Sequence, residues 1–184
     1  MLMVFKGIKQ EYVLVVDTEY DNMVLMQCAG LLFKRIDEKN DIYQLAVSFN
    51  TYVTRDTVGY YANKYTGITS EFLQENGVPV EDFVTQYDAI FEGIDEDDVI
   101  FVSHGTRNDR RVLSSAGVTF SPGHSYCTYK NGKKLLKRET SLTLGDIAAE
   151  GGFQLNGSHN AYYDAIATVS ALSFLKKLEW ESSQ

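Results

Sequence analysis

The sequence has very few of the residues that stabilise small secreted proteins. Its two cysteines, Cys28 and Cys127, are too few for a disulfide framework or a zinc knuckle, which favours a reducing compartment. The longest apolar runs, such as Val13–Val16, fall far short of the ~18 residues that span a membrane. Met1–Lys6 lacks the apolar stretch and cleavage site of a signal peptide. We therefore expect a cytoplasmic protein that does not contact a membrane.

Positive charge is also scarce. The chain carries 17 Lys and Arg against 25 Asp and Glu, which gives a net charge of -8. Proteins that coat duplex nucleic acid are usually basic, because neutralisation of phosphates supplies much of their affinity. The balance excludes an architectural DNA-binding protein. It leaves room for nucleic-acid chemistry through a local basic path or through metal ions held by carboxylates.

Proline is rare as well, and no segment has the composition of a linker. The only prolines are Pro79 and Pro122, and the sequence contains no internal repeat or low-complexity tract. Apolar residues make up 44% of the 184 positions, enough for a real core. A chain of this length usually forms one domain, so we predict a single domain over residues 1–184.

Hydrophobic runs predict five strands. A polar turn at residues 37–41 separates the second strand from the third, so the first three strands are expected to be antiparallel neighbours. The predicted strands are Tyr12–Val16, Met23–Ile36, Ile42–Val53, Asp98–Val102 and His124–Tyr129.

Helix signals lie between and after these strands. Thr69 is a predicted N-cap, and Ile68 is expected to contact Leu73 across that helix start. Gly117 is expected to end a short helix that follows Asn108. Strands followed by alternating helices and strands indicate a layered α/β architecture. The other predicted helices begin near Val80 and cover Leu142–Glu150 and Ala161–Leu178.

Two carboxylates stand at the end of the first predicted strand. Asp17 and Glu19 are two positions apart, so on a strand they point to the same face. Like charges held together repel unless a cation lies between them, and hard divalent cations prefer oxygen ligands. The competing interpretation is a polar strand end that runs into a turn.

A third carboxylate, Asp109, follows the strand Asp98–Val102 and opens a short helix. Ligands of open α/β sheets bind outside the carboxyl ends of the strands, which is where this loop would lie. The competing interpretation is that Asp109 only complements the helix dipole in the first turn.

The last candidates are His159 and Asp164, which flank the start of the final helix. Five positions correspond to about 140° around a helix, so the two side chains cannot share one helical face. They would converge if His159 lies on the loop before the helix and Asp164 lies in its first turns. Capping and first-turn electrostatics are the competing explanations.

Together these residues predict a two-metal site. Two divalent ions can stabilise the attacking and leaving oxygens of a phosphoester cleavage, and a histidine can accept a proton from the attacking water. No other interpretation uses all five residues, which are Asp17, Glu19, Asp109, His159 and Asp164.

From Tyr12 to Leu178 the chain resembles the DEDDh 3′→5′ exonucleases, a DnaQ-like family. Tyr65–Thr69 is similar to a connecting "hGIt" segment of that family, and His159–Ala165 is similar to its third motif. A histidine five residues before the aspartate distinguishes this branch from the DEDDy branch.

The resemblance implies an α/β, ribonuclease H-like fold: a mixed five-stranded sheet, three antiparallel strands and then parallel additions, flanked by helices. It implies two Mg²⁺ or Mn²⁺ ions held by the four carboxylates, with His159 as the general base. The products would be nucleoside 5′-monophosphates released from the 3′ end of single-stranded DNA or RNA. The second motif differs, because the family usually has His-Asn and an aromatic residue where this chain has His104-Gly105 and Asn108.

Substrate contacts are predicted at residues of several kinds. Tyr20 and Ile68 would stack on or wedge the terminal base, unless they are turn and core residues. The basic run Lys130–Arg138 would guide a single strand, unless it is a solvated hairpin or loop. Tyr60 and Tyr61 are predicted to be packing residues. The predicted nucleic-acid contacts are Thr18, Tyr20, Ile68, Arg107, Lys133 and Lys134.

A competing function is a non-catalytic binding or regulatory subunit with the same fold. The presence of all five site residues favours the enzyme. A proofreading subunit that works with a polymerase, or a homo-oligomer, is also compatible with the sequence. Only Glu179–Gln184 follow the last predicted helix, which favours an enzyme that acts without a polymerase-binding tail.

Overall fold

One mixed β-sheet forms the centre of the computed structural model, which describes residues 1–155 and 159–184. Within these residues the sheet has six strands in the order β1-β4-β3-β2-β5-β6. Strands β1 to β4 pair antiparallel, whereas β5 is parallel to β2 and β6 is parallel to β5. The strands are β1 (Leu2–Val4), β2 (Tyr12–Asp21), β3 (Val24–Asp37), β4 (Ile42–Tyr52), β5 (Val99–Ser103) and β6 (His124–Cys127).

Helices cover both faces of this sheet. Helices α3 and α4 contribute to the core on one face, and α5, α6 and α7 contribute to the core on the other. The helices are α1 (Tyr60–Thr66), α2 (Ser70–Asn76), α3 (Val80–Ala89), α4 (Thr106–Ala116), α5 (Thr128–Leu135), α6 (Leu144–Glu150) and α7 (Ala161–Glu181).

The central strand β2 is apolar on both faces because both faces are covered. Val13 and Val15 belong to the core under α7, whereas Leu14 and Val16 belong to the core on the opposite face. Side chains alternate along a strand, so burial on both sides requires the unbroken apolar run seen in the sequence. This packing fixes the strand that carries Asp17 and Glu19.

The predicted α/β class and the antiparallel order of the first long strands are confirmed. The predicted number of five strands is wrong, because β1 adds a sixth at the sheet edge. Only three residues of β1 pair with β4, and so short a segment has no alternation for a sequence pattern to detect.

Several other boundaries differ from the predictions. Strand β2 runs on to Asp21, past the predicted end at Val16, because its pairing with β3 continues beyond the apolar run. Helix α7 runs on to Glu181, past the predicted end at Leu178.

The strand predicted at His124–Tyr129 ends at Cys127, and Thr128 begins α5, so the basic run starts as a helix and not as a hairpin. Helix α4 begins at Thr106, before Asn108, and Asp109 lies in its first turn. Helix α1 was not predicted, since none of its residues is buried and it has no apolar face.

Capping residues were predicted well because their hydrogen bonds are local. The Thr69 side chain accepts from the Phe72 N–H at 3.0 Å. Gly117 ends α4 with a left-handed φ of 101°. Ile68 and Leu73 lie in one small apolar cluster with Met26, as expected.

Strand pairing brings the candidate residues to one edge of the sheet. Because β2 and β5 are parallel, their carboxyl ends meet at the same edge. Asp17 and Glu19 lie at the end of β2, and the loop after β5 leads into α4. In the described part of the chain, no helix has the length and apolar character needed to cross a bilayer.

Helix α7 is expected to depend on its buried face for stability. Leu172 is fully buried in the core between α7 and the sheet, so Leu172→Ala should lower the free energy of unfolding by about 2–5 kcal/mol. Lys177→Ala, on the exposed side of the same helix, should change it by less than about 0.5 kcal/mol. Urea unfolding followed by circular dichroism measures both. Equal effects of the two substitutions would contradict this packing.

Candidate active site

Asp17 and Glu19 project from the last part of β2. Opposite them on β3 are Ala29 and Gln27, and the register shifts between Glu19 and Tyr20. Glu19 is 9% exposed, and Asp17 is partly buried. Period-two alternation therefore places two carboxylates on one face of β2, as predicted.

Hydrogen bonds from residues of β2 and β5 hold Asp109 near the end of β2. Its Oδ1 accepts from the Thr18 N–H at 3.2 Å and from the Thr18 hydroxyl at 2.8 Å. Its Oδ2 accepts from the Ser103 hydroxyl at 2.7 Å. Thr18 lies between Asp17 and Glu19, so these hydrogen bonds attach Asp109 to the part of β2 that carries both carboxylates.

Asp164 arrives with the first turn of α7. The Asn160 side chain caps this helix by accepting from the Tyr162 N–H at 3.1 Å, and the Ala161 N–H donates to Oε1 of Gln27 at 3.2 Å. Gln27 is fully buried and is the β3 partner of Glu19. The start of α7 is thus attached to the strand beside the carboxylates.

His159 lies on the loop before α7, as the five-residue spacing required. Its backbone has a left-handed φ of 67°, which is uncommon for a residue other than glycine. Its N–H donates to Oδ2 of Asp164 at 3.0 Å. The turn allows His159 and Asp164 to face the same pocket although they cannot share a helical face.

One pocket of about 470 Å³ collects these residues. It lies at the carboxyl ends of β2 and β5, where the loop after β5, α1 and the start of α7 meet. Five predicted catalytic residues and two predicted substrate contacts line it: Asp17, Glu19, Asp109, His159, Asp164, Thr18 and Tyr20.

The pKa of each of the four carboxylates is raised, chiefly by burial. Burial, followed by the charges of the other three carboxylates, raises the pKa of Asp17 well above its ordinary 3.8. Burial and then the charges of Asp164 and Asp109 raise the pKa of Glu19 from 4.5 to about 7. Burial also raises the pKa of Asp109 and of Asp164, although hydrogen bonds to each oppose it. Without a cation, the site therefore favours protonated carboxyl groups.

The residues fit a divalent cation. Ligand atoms of Glu19, His159 and Asp164 all lie within 4.8 Å of one another. Oδ1 of Asp164 is buried and accepts no hydrogen bond from the described residues. A buried carboxylate oxygen without a donor is costly, and a bound cation would satisfy it.

Other predicted contacts lie outside the pocket lining. Ile68 is 6% exposed and packs with Met26 and Leu73, which agrees with the core alternative and not with a wedge. Arg107 is exposed on the first turn of α4, and Lys133 and Lys134 lie on α5. Thr18, by contrast, lines the pocket, and both its backbone N–H and its hydroxyl donate to Asp109.

Sequence reasoning missed residues that support the site. Ser103 and Gln27 are buried polar residues within apolar strands, and that contrast was the available signal. The packing role predicted for Tyr60 and Tyr61 is wrong, because each is 71% exposed. Tyr61 and Tyr65, four positions apart on α1, line the pocket.

Removal of one carboxylate should stabilise the metal-free protein at high pH. The folded protein holds the Glu19 proton up to about pH 7, whereas the unfolded chain releases it near pH 4.5. The stability contributed by protonated Glu19 is therefore lost as pH rises from about 4.5 to 7. Glu19→Gln should be more stable than wild type at pH 8 in EDTA, by up to about 3 kcal/mol, with the difference vanishing near pH 4.

Denaturant unfolding at both pH values measures this difference. Added Mn²⁺ should stabilise the wild type more than Glu19→Gln, because the cation replaces the missing protons. The control is Glu92→Gln, which changes an exposed glutamate. Identical pH dependence in the wild type and Glu19→Gln would contradict the raised pKa of Glu19.

Comparison with known proteins identifies relatives in fold. The chain superposes on cell-death related nuclease 4 with a TM-score of 0.69 and 17% identity, over 92% of this chain and 64% of that one. It superposes on E. coli exonuclease I in complex with a dA16 oligonucleotide with a TM-score of 0.72 and 15% identity, over 94% of this chain and 42% of that one. A third structure concerns 3′-end specific recognition of a histone mRNA stem-loop by a 3′-exonuclease. The TM-score with that enzyme is 0.70 and the identity is 11%, over 95% of this chain and 66% of that one.

These likenesses show the fold, which is ribonuclease H-like, as the resemblance predicted. The chain spans less than two thirds of the length of cell-death related nuclease 4 and less than half of exonuclease I. No curated protein matches its sequence.

A family model gives the classification. Residues 34–172 match the RNase T model, which describes an exonuclease. Asp109, His159 and Asp164 fall within this match, whereas Asp17 and Glu19 precede it. Because the match covers more than half of the chain, the protein belongs to the RNase T family of exonucleases.

Proposed function

We propose that this chain is a metal-dependent 3′→5′ exonuclease of the DEDDh type, with residues 1–184 acting as one domain. It would release nucleoside 5′-monophosphates from single-stranded DNA or RNA. The observation that carries the proposal is that the four predicted metal-binding carboxylates and His159 all line a single pocket. These residues come from β2, α4 and the start of α7, and a purely structural role would not require them to converge.

The four carboxylates would hold two divalent cations, Mg²⁺ or Mn²⁺. Ligand atoms of Glu19 and Asp164 lie within 4.8 Å of one another, and Asp17 and Asp109 line the same pocket. When bound, such cations would supply positive charge that stabilises the charge developing on the cleaved phosphate. The raised carboxylate pKa values and the undonated Oδ1 of Asp164 support this assignment.

His159 would accept the proton of the attacking water. An imidazole is the side chain best suited to general-base catalysis near neutral pH. Its exposed position on the pocket rim gives it access to water. Its backbone N–H holds Asp164, so the proposed base and a proposed metal ligand keep a fixed relation.

The polarity and substrate class rest on the relatives. One relative is a 3′-exonuclease whose structure concerns recognition of a histone mRNA stem-loop. Another, E. coli exonuclease I, was solved in complex with a DNA oligonucleotide. Both DNA and RNA are therefore candidate substrates, and a 3′ terminus is the proposed point of attack.

Helix α5 offers a basic path to the pocket. The ring of Tyr129 contacts the ring of His104 with centroids 5.6 Å apart, and His104 lines the pocket. Lys133 Nζ lies over the Tyr129 ring, 5.8 Å from its centroid, and donates to the Glu139 carbonyl oxygen at 3.3 Å. Among the described residues, neither Lys133 nor Lys134 pairs with an acidic side chain, so neither ammonium charge is neutralised and both could attract phosphates.

A degradation assay tests the proposed activity. Single-stranded DNA and RNA of one sequence, labelled at the 5′ end, should be shortened from the 3′ end in Mn²⁺ or Mg²⁺ but not in EDTA. Asp17→Ala and His159→Ala should each lower the rate at least about 100-fold, because each removes a group that acts in the transition state. Asp56→Ala, which changes an exposed aspartate, should not.

The same assay addresses the non-catalytic alternative. A folded protein that leaves every substrate intact, with weak Mn²⁺ binding, would refute the enzyme and favour a binding or regulatory subunit. Shortening from the 5′ end would refute the proposed polarity.

Loss of the α5 lysines should weaken single-strand binding in a salt-dependent way. Lys133→Ala with Lys134→Ala should lower affinity and reduce the slope of log K against log salt by roughly one per lost phosphate contact. The matched control is Lys9→Ala with Lys39→Ala, which removes the same charge outside the pocket. Binding is measured by fluorescence anisotropy with the Asp17→Ala variant, and equal slopes for both pairs would exclude a path along α5.

A further inference from the structure

The imidazole of His159 needs a partner that holds it over the pocket. The residue has a left-handed φ of 67°. The hydrogen bond from its backbone N–H to Asp164 fixes the backbone but not the side chain. The side chain is exposed, so rotation about its own bonds is not restricted by a core. In the described part of the chain, the aromatic ring that contacts the imidazole is that of Tyr65, with centroids 5.9 Å apart and planes at 56°.

Tyr65 is not placed there by burial. It is 59% exposed, and its helix α1 contains no buried residue. A large aromatic side chain that is mostly exposed and points at a polar pocket gains little from the hydrophobic effect. Its contact with His159 is the specific interaction that its position provides.

The position of α1 is set from β2. Oδ2 of Asp21, at the end of β2, accepts from the N–H of Gly59 at 2.8 Å, and Gly59 is the N-cap of α1. A Cβ at Gly59 would lie 3.0 Å from that oxygen, so a larger residue there would crowd the Asp21 carboxylate. Arg55 lies 3.9 Å from the same carboxylate. The strand that carries Asp17 and Glu19 thus also anchors the helix that carries Tyr65.

We propose that Tyr65 is a positioning residue for His159, and that Asp21 anchors it through Gly59. The aromatic contact restricts the imidazole to the orientation that faces the carboxylates. This inference rests on the proposed function, in which His159 is the base. It predicts effects on turnover and on the imidazole itself, but not on substrate affinity.

Kinetics with a 5′-labelled single-stranded DNA and Mn²⁺ give the first test. Aromatic contacts of this kind correspond to about two- to tenfold changes in the population of one orientation, so Tyr65→Ala should lower kcat by that factor. KM should stay within about twofold. Tyr65→Phe should retain wild-type kcat, because the ring and not the hydroxyl makes the contact. Tyr60→Ala, an exposed tyrosine of the same helix outside the pocket lining, is the control.

A double-mutant cycle tests the anchor. Asp21→Ala should show the same fall in kcat as Tyr65→Ala, and the double variant should be no worse than either single variant. Non-additivity is expected when two residues act through one contact. Multiplied effects would refute the link between Asp21 and Tyr65.

A second readout does not depend on activity. The chain has three histidines, and a His159→Gln variant assigns the Cε1–H resonance of His159 by NMR. Tyr65→Ala should shift this resonance by removing the ring current of the tyrosine, whereas Tyr65→Phe and Tyr60→Ala should leave it in place. An unshifted resonance in Tyr65→Ala would overturn the proposal whether or not the protein is active.

The kinetic outcomes separate the alternatives. A raised KM with unchanged kcat in Tyr65→Ala would mean that Tyr65 contacts the substrate instead of the base, which would overturn the positioning role. An equal fall in kcat in Tyr60→Ala would mean a general effect on α1. A wild-type protein that degrades nothing would refute the proposed function itself, and the NMR result would still decide whether Tyr65 holds His159.

Discussion

The confinement of four carboxylates at one end of β2 is the constraint on which the rest of this structure depends. Burying these charges and holding them close together both oppose folding, and both effects raise the pKa values of Asp17 and Glu19, burial the more strongly. The fold must therefore hold these groups together by other means until a proton or a cation neutralises them. It does so with the apolar run of β2, buried on both faces, and with hydrogen bonds from neighbouring strands. In one strand, the apolar run thus stabilises the fold while the carboxylates of the site destabilise it.

The same constraint resolves the contrast between a net charge of -8 and the proposed nucleic-acid substrate. Under the proposed function, the pocket would attract phosphate only after cations occupy it, so binding of substrate and binding of metal would be linked. Lys133 and Lys134 lie on α5, outside the pocket lining, where they would contact the substrate without neutralising the carboxylates. The positive and negative side chains lie in different places, so the net charge does not determine the local electrostatic field.

The residues that the sequence predicted are those whose geometry is local. Period-two alternation placed Asp17 and Glu19 on one face, and the five-residue spacing placed His159 on a turn before α7. The supporting residues are linked over long separations, 91 positions for Thr18 and Asp109 and 134 for Gln27 and Ala161. No periodic pattern encodes such contacts. Helix α1 escaped prediction because an exposed helix has no apolar stripe, and its tyrosines were consequently assigned to packing.

The altered second motif can be understood from the way Asp109 is held. Its three hydrogen bonds come from Thr18 and Ser103, on β2 and β5. Gly105 and Asn108, which replace the residues usual in the family, are exposed and line the pocket. Gly105 has no side chain, and in the described structure the hydrogen bonds to the Asp109 carboxylate come from Thr18 and Ser103 and not from Asn108. The carboxylate therefore keeps its place without them. Because these positions face the space where a substrate would lie, the departure changes the surface offered to the terminal nucleotide and leaves the proposed metal ligand intact.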